Sequence, residues 1–213
     1  SLKGLGWSLP TGLPLEVGLK AALAVKALDE LVAAPSRAPI VSSVLGGLRE
    51  TLARLATSPP VKDKTGIPLD MVELRRQFRL LRFYATRRQT DRALLLLREW
   101  VVNRCLVASG RERLAWLEYG NVRHPMERAL NALAERQQIA SAKTPWNLGA
   151  FWKRIADRRN AIAHAGFRAG EVKSDDTVLE ALIQECEYHA DDDACWSTAA
   201  PGLLGKTLIT PFG

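Results

Sequence analysis

Residues 90–110, Thr90-Asp91-Arg92-Ala93-Leu94-Leu95-Leu96-Leu97-Arg98-Glu99-Trp100-Val101-Val102-Asn103-Arg104-Cys105-Leu106-Val107-Ala108-Ser109-Gly110, decide the fold. Thr90 or Asp91 offers a short side-chain oxygen of the kind that caps a helix N-terminus, and Ser109-Gly110 is a stop signal. Between them the spacing predicts a helix from Arg92 to about Ala108. Leu94, Leu95, Leu96, Leu97, Trp100, Val101 and Val102 make it apolar most of the way round. A helix of that kind belongs at the centre of a bundle, with amphipathic helices packed around it.

The flanking sequence supplies such helices. Pro14 suits a first helical position, and Leu15, Leu19, Ala22, Leu23, Leu28 and Leu31 recur at helical spacing to about Val32. After the Pro35 to Pro39 break a second helix is expected from Val41 to Ala56. Residues 57–66 (TSPPVKDKTG) read as a loop. Pro68 opens a third helix, in which Leu69, Val72, Phe78, Leu81 and Phe83 are interleaved with arginines up to Arg88. Residues 111–124 form a partly helical connector, 125–141 a fifth helix and 146–165 a sixth. Asp176 caps a last helix to about His189, followed by Asp191-Asp192-Asp193. Residues 1–13 lack periodicity and are expected to be an extended lead-in. Leu203 to Phe212 is the one β-like run, suited to an edge strand. The expected fold is all-α: a bundle of about six to seven helices over residues 14–213, with room for a short C-terminal β segment.

At 213 residues, 47% of them hydrophobic, the chain can bury a sizeable core. Lys and Arg number 30 against 23 Asp and Glu, a net charge of +7. That surplus favours an acidic partner such as nucleic acid, although solubility alone is also served by it. Cys105, Cys186 and Cys195 are odd in number and lack zinc-ligand spacing, which suits a reducing, cytoplasmic setting. Cys186, His189 and Cys195 have no evident fourth ligand, so neither metal nor cofactor is assigned. There is no signal-peptide pattern and no run of 18 apolar residues, so no membrane association is expected. Ser1 stands where a Met would, in a Gly/Pro-rich stretch, and the expectation is a processed product or a piece of a longer protein.

Chemistry concentrates in Arg158-Arg159-Asn160-Ala161-Ile162-Ala163-His164-Ala165-Gly166. About 100° per residue puts Asn160 and His164 on one helix face with Arg159 on its shoulder. Histidine exchanges protons near neutral pH, and arginine grips phosphate oxygens with a rigid fork of donors. With 21 Arg, 3 His and 5 Asn in the chain, chance gives roughly 0.3 Arg-x4-His matches and about 0.01 with Asn after the Arg. The competing reading at this point is a helix-end histidine beside solvated arginines.

With an all-helical frame around it, this stretch resembles the helical RN-x3-H box of the HEPN superfamily of RNA-cleaving domains. More narrowly, the chain is similar to the C-terminal HEPN part of CRISPR-associated type III ancillary ribonucleases. Two further segments contribute: Gln89-Thr90-Asp91-Arg92-Ala93-Leu94 through Leu97-Arg98-Glu99-Trp100, and the closing Leu208-Ile209-Thr210-Pro211-Phe212-Gly213. Such relatives carry an N-terminal Rossmann-like sensor for cyclic oligoadenylate. No alternation of strands and helices and no Gly-rich loop occurs here, so cyclic oligoadenylate is expected to act only through a sensor domain not present in this chain.

The resemblance implies an endoribonuclease in antiviral defence that cuts single-stranded RNA without a metal. The RNA's own 2′-hydroxyl attacks the adjacent phosphodiester, giving a 2′,3′-cyclic phosphate and a 5′-hydroxyl. His164 would transfer the proton. Arg159 would hold the scissile phosphate, and Asn160 would orient His164 or the phosphate. Relatives complete the site by dimerising, so a homodimer with a composite active site is expected. Lys153, Arg154, Arg158 and Arg168 are candidates to extend a basic cleft along the RNA. Trp146 and Trp152 could stack bases, with core packing favoured. The arginines of the third helix (Arg75, Arg76, Arg79, Arg82, Arg87, Arg88) are a second candidate RNA surface, with ion pairs to neighbouring helices favoured. Glu99 is expected to be exposed or paired with an arginine, and His124 and His189 to be structural. Two alternatives stand beside the nuclease: a HEPN toxin of a toxin–antitoxin pair, and a non-catalytic helical scaffold that binds RNA or protein.

Overall fold

The computed structural model of the chain describes residues 2–33, 39–110, 115–137, 146–163 and 176–199. Nine α-helices and no strand occur among them. The all-α expectation holds, while the β-like run at 203–212 lies outside the described residues. No described helix is long and apolar enough to cross a membrane. The chain divides into two compact units, Ser1–Phe83 and Tyr84–Gly213.

In the first unit α1 (Leu2–Thr11) packs on α2 (Pro14–Val32), and α2 on α3 (Pro39–Ala53). The lead-in is therefore helical rather than extended. Pro10 lies within α1 and cannot donate to the preceding turn, but Leu5 and Ser8 are buried. Tertiary packing supplies what Gly and Pro withhold from local propensity. Gly12 turns the chain between α1 and α2 at φ 71°, a left-handed conformation that glycine adopts without penalty. Pro14 then occupies the first turn of α2, and Val17, Ala21, Ala24 and Leu28 make its buried stripe. A short 3-10 turn, Lys64–Gly66, is capped by Asp63, whose carboxylate accepts from the Thr65 amide at 2.9 Å.

Helix α4 (Met71–Thr86) leads out of this unit into the second, where α5 (Thr90–Ala108) is the hub. Eleven of its residues, from Ala93 to Leu106, are buried, and α6 (His124–Gln137), α7 (Leu148–Ala163), α8 (Asp176–Tyr188) and α9 (Asp193–Ser197) all pack on it. The central position inferred from its all-round apolar surface is what the structure shows. Before α6 lie a 3-10 turn (Ala115–Leu117) and one π turn (Tyr119–Arg123). Helix α9 is absent from the sequence reading. Five residues are too short for periodicity to register, and burial of Trp196 holds the element in place.

Candidate functional site

Helix α7 carries Arg159 and Asn160 of the RN-x3-H stretch near its C-terminal end. Its start is set by Asn147, whose side-chain oxygen accepts from the Ala150 amide at 2.8 Å and satisfies a donor that the helix leaves open. Leu148, Gly149, Phe151, Trp152 and Ile155 are buried, one stripe at helical spacing. Beyond Ile155 no residue of the helix is fully buried, and Arg159 and Asn160 are both exposed. Ile155, Arg159 and Ile162 stand at i, i+4 and i+7, so the core stripe runs outward into an arginine and a half-buried isoleucine. Cations near this end also interact favourably with the partial negative charge of the helix C-terminus. His164, the proposed proton-transfer group, and Arg168 lie outside the described residues.

The three described cleft cations divide. Lys153 donates to Asp157 at 2.5 Å, an exposed i,i+4 pair. Arg154 donates to both Glu185 oxygens at 2.5 and 2.6 Å and lies 5.6 Å over the Phe151 ring. Glu185 also accepts from Trp146 Nε1 at 2.9 Å, so Arg154 serves to tie α7 to α8. Arg158 lines a groove of about 410 Å³, with Arg154, Asp157 and Ala161 on the α7 wall and Val178, Ala181 and Leu182 opposite. Arg158 is thus half-buried along an apolar groove, Arg159 and Asn160 are exposed beyond it, and Lys153 and Arg154 have acidic partners.

Trp152 belongs to the core, as favoured, and Trp146 is half-buried. Trp152 is buried, donates to Asn131 at 2.7 Å and lies beneath Arg98, whose guanidinium is 5.0 Å from the ring. Trp146 stacks on His189 at 4.5 Å and meets Trp196 at 4.8 Å. Neither presents a ring face as a base-stacking platform. Glu99 is paired, accepting from Arg98 at 2.9 Å and from Arg123. His124 is exposed at the start of α6 with its ring 5.5 Å from Tyr119.

On α4 the expected pairing takes a different form. Arg76 is buried, and its acidic partner, Glu73, sits on the same helix at 2.6 and 2.7 Å. Its Nη1 donates to the carbonyls of Pro14 and Leu55. Arg79 donates to the Arg54 carbonyl at 2.9 Å, and burial lowers its pKa. Arg76 is therefore not an open cation of an RNA surface, whereas Arg79 is exposed.

Sequence reasoning missed three residues that organise this unit: Glu185, Arg104 and Asp192. Arg104 is fully buried and donates to the Ala190 carbonyl at 2.7 Å and to Asp193 at 2.5 Å. The signal that could have found Asp192 is the acidic run placed directly before a short Ala-Cys-Trp segment, where an Asp caps a helix. Cys186 is buried, and its thiol is pushed far above its ordinary range by that burial. Cys105 is likewise inside the core, its pKa pushed up to about 12.

No protein-family model matches the chain, and neither a curated protein nor a solved structure is detectably similar to it.

Proposed function

We propose that the chain is an endoribonuclease of HEPN type, cutting single-stranded RNA by attack of the RNA's own 2′-hydroxyl. The observation that carries the reading is the exposure of Arg159 and Asn160 side by side on the last turns of a helix whose first half is core. Two polar side chains four and five residues before His164 thus project from a helix anchored in the core, as a site that must hold a phosphate requires. In the reaction His164 accepts the 2′-hydroxyl proton while the 2′ oxygen bonds to phosphorus. The P–O5′ bond breaks, and the leaving oxygen takes a proton from an acid opposite. Arg159 offsets the charge that develops on the non-bridging oxygens. One histidine does not easily serve both ends of this transfer, and a two-fold dimer placing two Arg159–Asn160–His164 sets across one cleft supplies the second. Asp157 is the one carboxylate between Lys153 and His164, too few donors to hold a metal beside the set, and this supports chemistry that needs no metal.

The setting inferred from the resemblance is cytoplasmic, as the effector part of a CRISPR type III ancillary nuclease in antiviral defence. A toxin role uses the same chemistry. The ion pairs of Lys153 and Arg154 count against an RNA cleft along α7 and so keep the third reading, a non-catalytic scaffold, beside the enzymes. Labelled single-stranded RNA incubated in EDTA with wild type, His164→Ala and Arg159→Ala separates the enzymes from the scaffold. Losses of about 10²–10⁴-fold for the histidine and about 10²–10³-fold for the arginine are expected. Equal cleavage by all three proteins, or none by wild type, removes the catalytic reading.

A further inference from the structure

We propose that His189, Asp192 and Cys195 form a binding site for a divalent cation of the zinc class, separate from the α7 terminus. Their ligand atoms, an imidazole nitrogen, a carboxylate oxygen and the thiol sulfur, all lie within 4.8 Å of one another. Cys195 Sγ is 3.7 Å from His189 Nδ1 and donates to Asp192 Oδ2 at 3.0 Å. Around a tetrahedral zinc with Zn–S about 2.3 Å and Zn–N and Zn–O about 2.0–2.2 Å, such atoms stand about 3.4–3.6 Å apart. The sulfur–nitrogen separation already fits. The sulfur–oxygen pair is closer because a proton bridges it, and exchanging that proton for the cation opens it by about half an ångström. The step balances: the metal–sulfur bond forms as the thiol proton leaves to solvent.

The segment that bears these groups is pinned to the core from several directions. Buried Arg104 holds the Ala190 carbonyl at 2.7 Å and Asp193 at 2.5 Å. Buried Trp196 donates from its indole nitrogen to the His189 carbonyl at 2.7 Å. Trp146 stacks on the His189 ring, and Tyr188 meets it edge-on at 4.9 Å. Asp192 Oδ1 accepts from the Ala194 amide at 3.0 Å as the cap of α9, which turns Oδ2 toward the sulfur. Three side chains within seven residues are thus gathered on a braced segment, and closing the imidazole–carboxylate edge, within 4.8 Å here, to about 3.4 Å is the adjustment that a cation would impose. Thiolate, imidazole and carboxylate together select zinc or cobalt over magnesium or calcium, which prefer all-oxygen shells. Asp192 is exposed and His189 and Cys195 half-buried, so a fourth position on the solvent side is open to water. Trp146, which stacks on His189, lies two residues before α7, with about 16 Å of helix between Leu148 and Arg159.

The test is titration of the full chain with cobalt(II), followed by its thiolate charge-transfer absorption in the near ultraviolet, with zinc as competitor. One equivalent is expected to develop the band and zinc to abolish it. Cys195→Ser should lose the band. Asp192→Asn keeps an α9 cap, since Asn also caps helices, and should weaken binding on the order of tenfold or more. Circular dichroism of both variants should match wild type. No band with wild type at micromolar cobalt, or a band that survives Cys195→Ser, overturns the site.

Discussion

At the scale of single residues, the clearest departure from pattern is Arg76. Glu73, Arg76 and Gln77 are all buried on α4, at spacings that place them on one face. In the sequence that face looks polar and hence solvated, because periodicity counts hydrophobic side chains and is blind to polar groups that satisfy one another. Here Glu73 accepts from Arg76 and, at 2.8 Å, from Gln77. Replacing Arg76 by Met leaves a buried carboxylate without its cation, and a loss of about 3–5 kcal/mol is expected in urea unfolding. The double variant Glu73→Leu/Arg76→Met should recover most of it; a double variant no more stable than the single would assign the cost to lost packing. Gly18 makes the same point from the other side. A Cβ there would meet Arg76 Nη1 at 2.7 Å and Thr57 Cγ2 at 2.8 Å. Gly18→Ala should therefore destabilise by about 1–3 kcal/mol despite the better helix propensity of alanine.

At the scale of elements, helices of several turns were legible and their ends less so. The expected span of α2 coincides with the observed Pro14–Val32, and the apolar run of α5 fixed its place at the centre. Helix α4 starts at Met71 rather than Pro68 because Asp70 is its cap, accepting from the Glu73 amide at 2.9 Å. It ends at Thr86 rather than Arg88 because Arg88 turns left-handed at φ 55°. There the Gln89 amide bonds the Tyr84 carbonyl at 3.0 Å and the Arg88 amide the Ala85 carbonyl at 2.9 Å, the pair of bonds that closes a Schellman motif. Glycine normally takes that position, and a side chain in it costs about 1–2 kcal/mol. Arg88→Gly should accordingly raise the melting temperature, by the equivalent of about 1 kcal/mol; an unchanged or lower value would mean that the arginine's own contacts outweigh the strain. The Asn147 cap of α7 predicts the opposite sign: Asn147→Ala should cost about 1 kcal/mol. If it also lowers RNA cleavage at full occupancy of the fold, the cap helps to position the Arg159 end.

At the scale of the whole chain, the charge that first pointed to RNA is unevenly placed. Residues 1–83 hold 12 Lys and Arg against 7 Asp and Glu, and residues 84–213 hold 18 against 16, so five of the seven surplus charges belong to the first unit. The RN-x3-H stretch lies in the second. Net charge was therefore legible in the sequence but carried little information about this site, whereas the order Arg159-Asn160 on an exposed helix end was both legible and local. The partner that holds Arg154 was not legible, because Glu185 comes from a helix that sequence spacing cannot bring alongside, whereas Asp157 stands four residues after Lys153 on the same helix. These facts separate a local site from diffuse attraction. For single-stranded RNA each phosphate contact adds about 0.7 to the slope of log affinity against log salt. Arg158→Gln/Arg159→Gln should lower that slope by about 1.4, two contacts' worth. Lys20→Gln/Lys26→Gln, on α2 in the more basic unit, should leave it unchanged. Equal reductions from both pairs would mean that RNA is held by the general positive field of the protein and not by the end of α7.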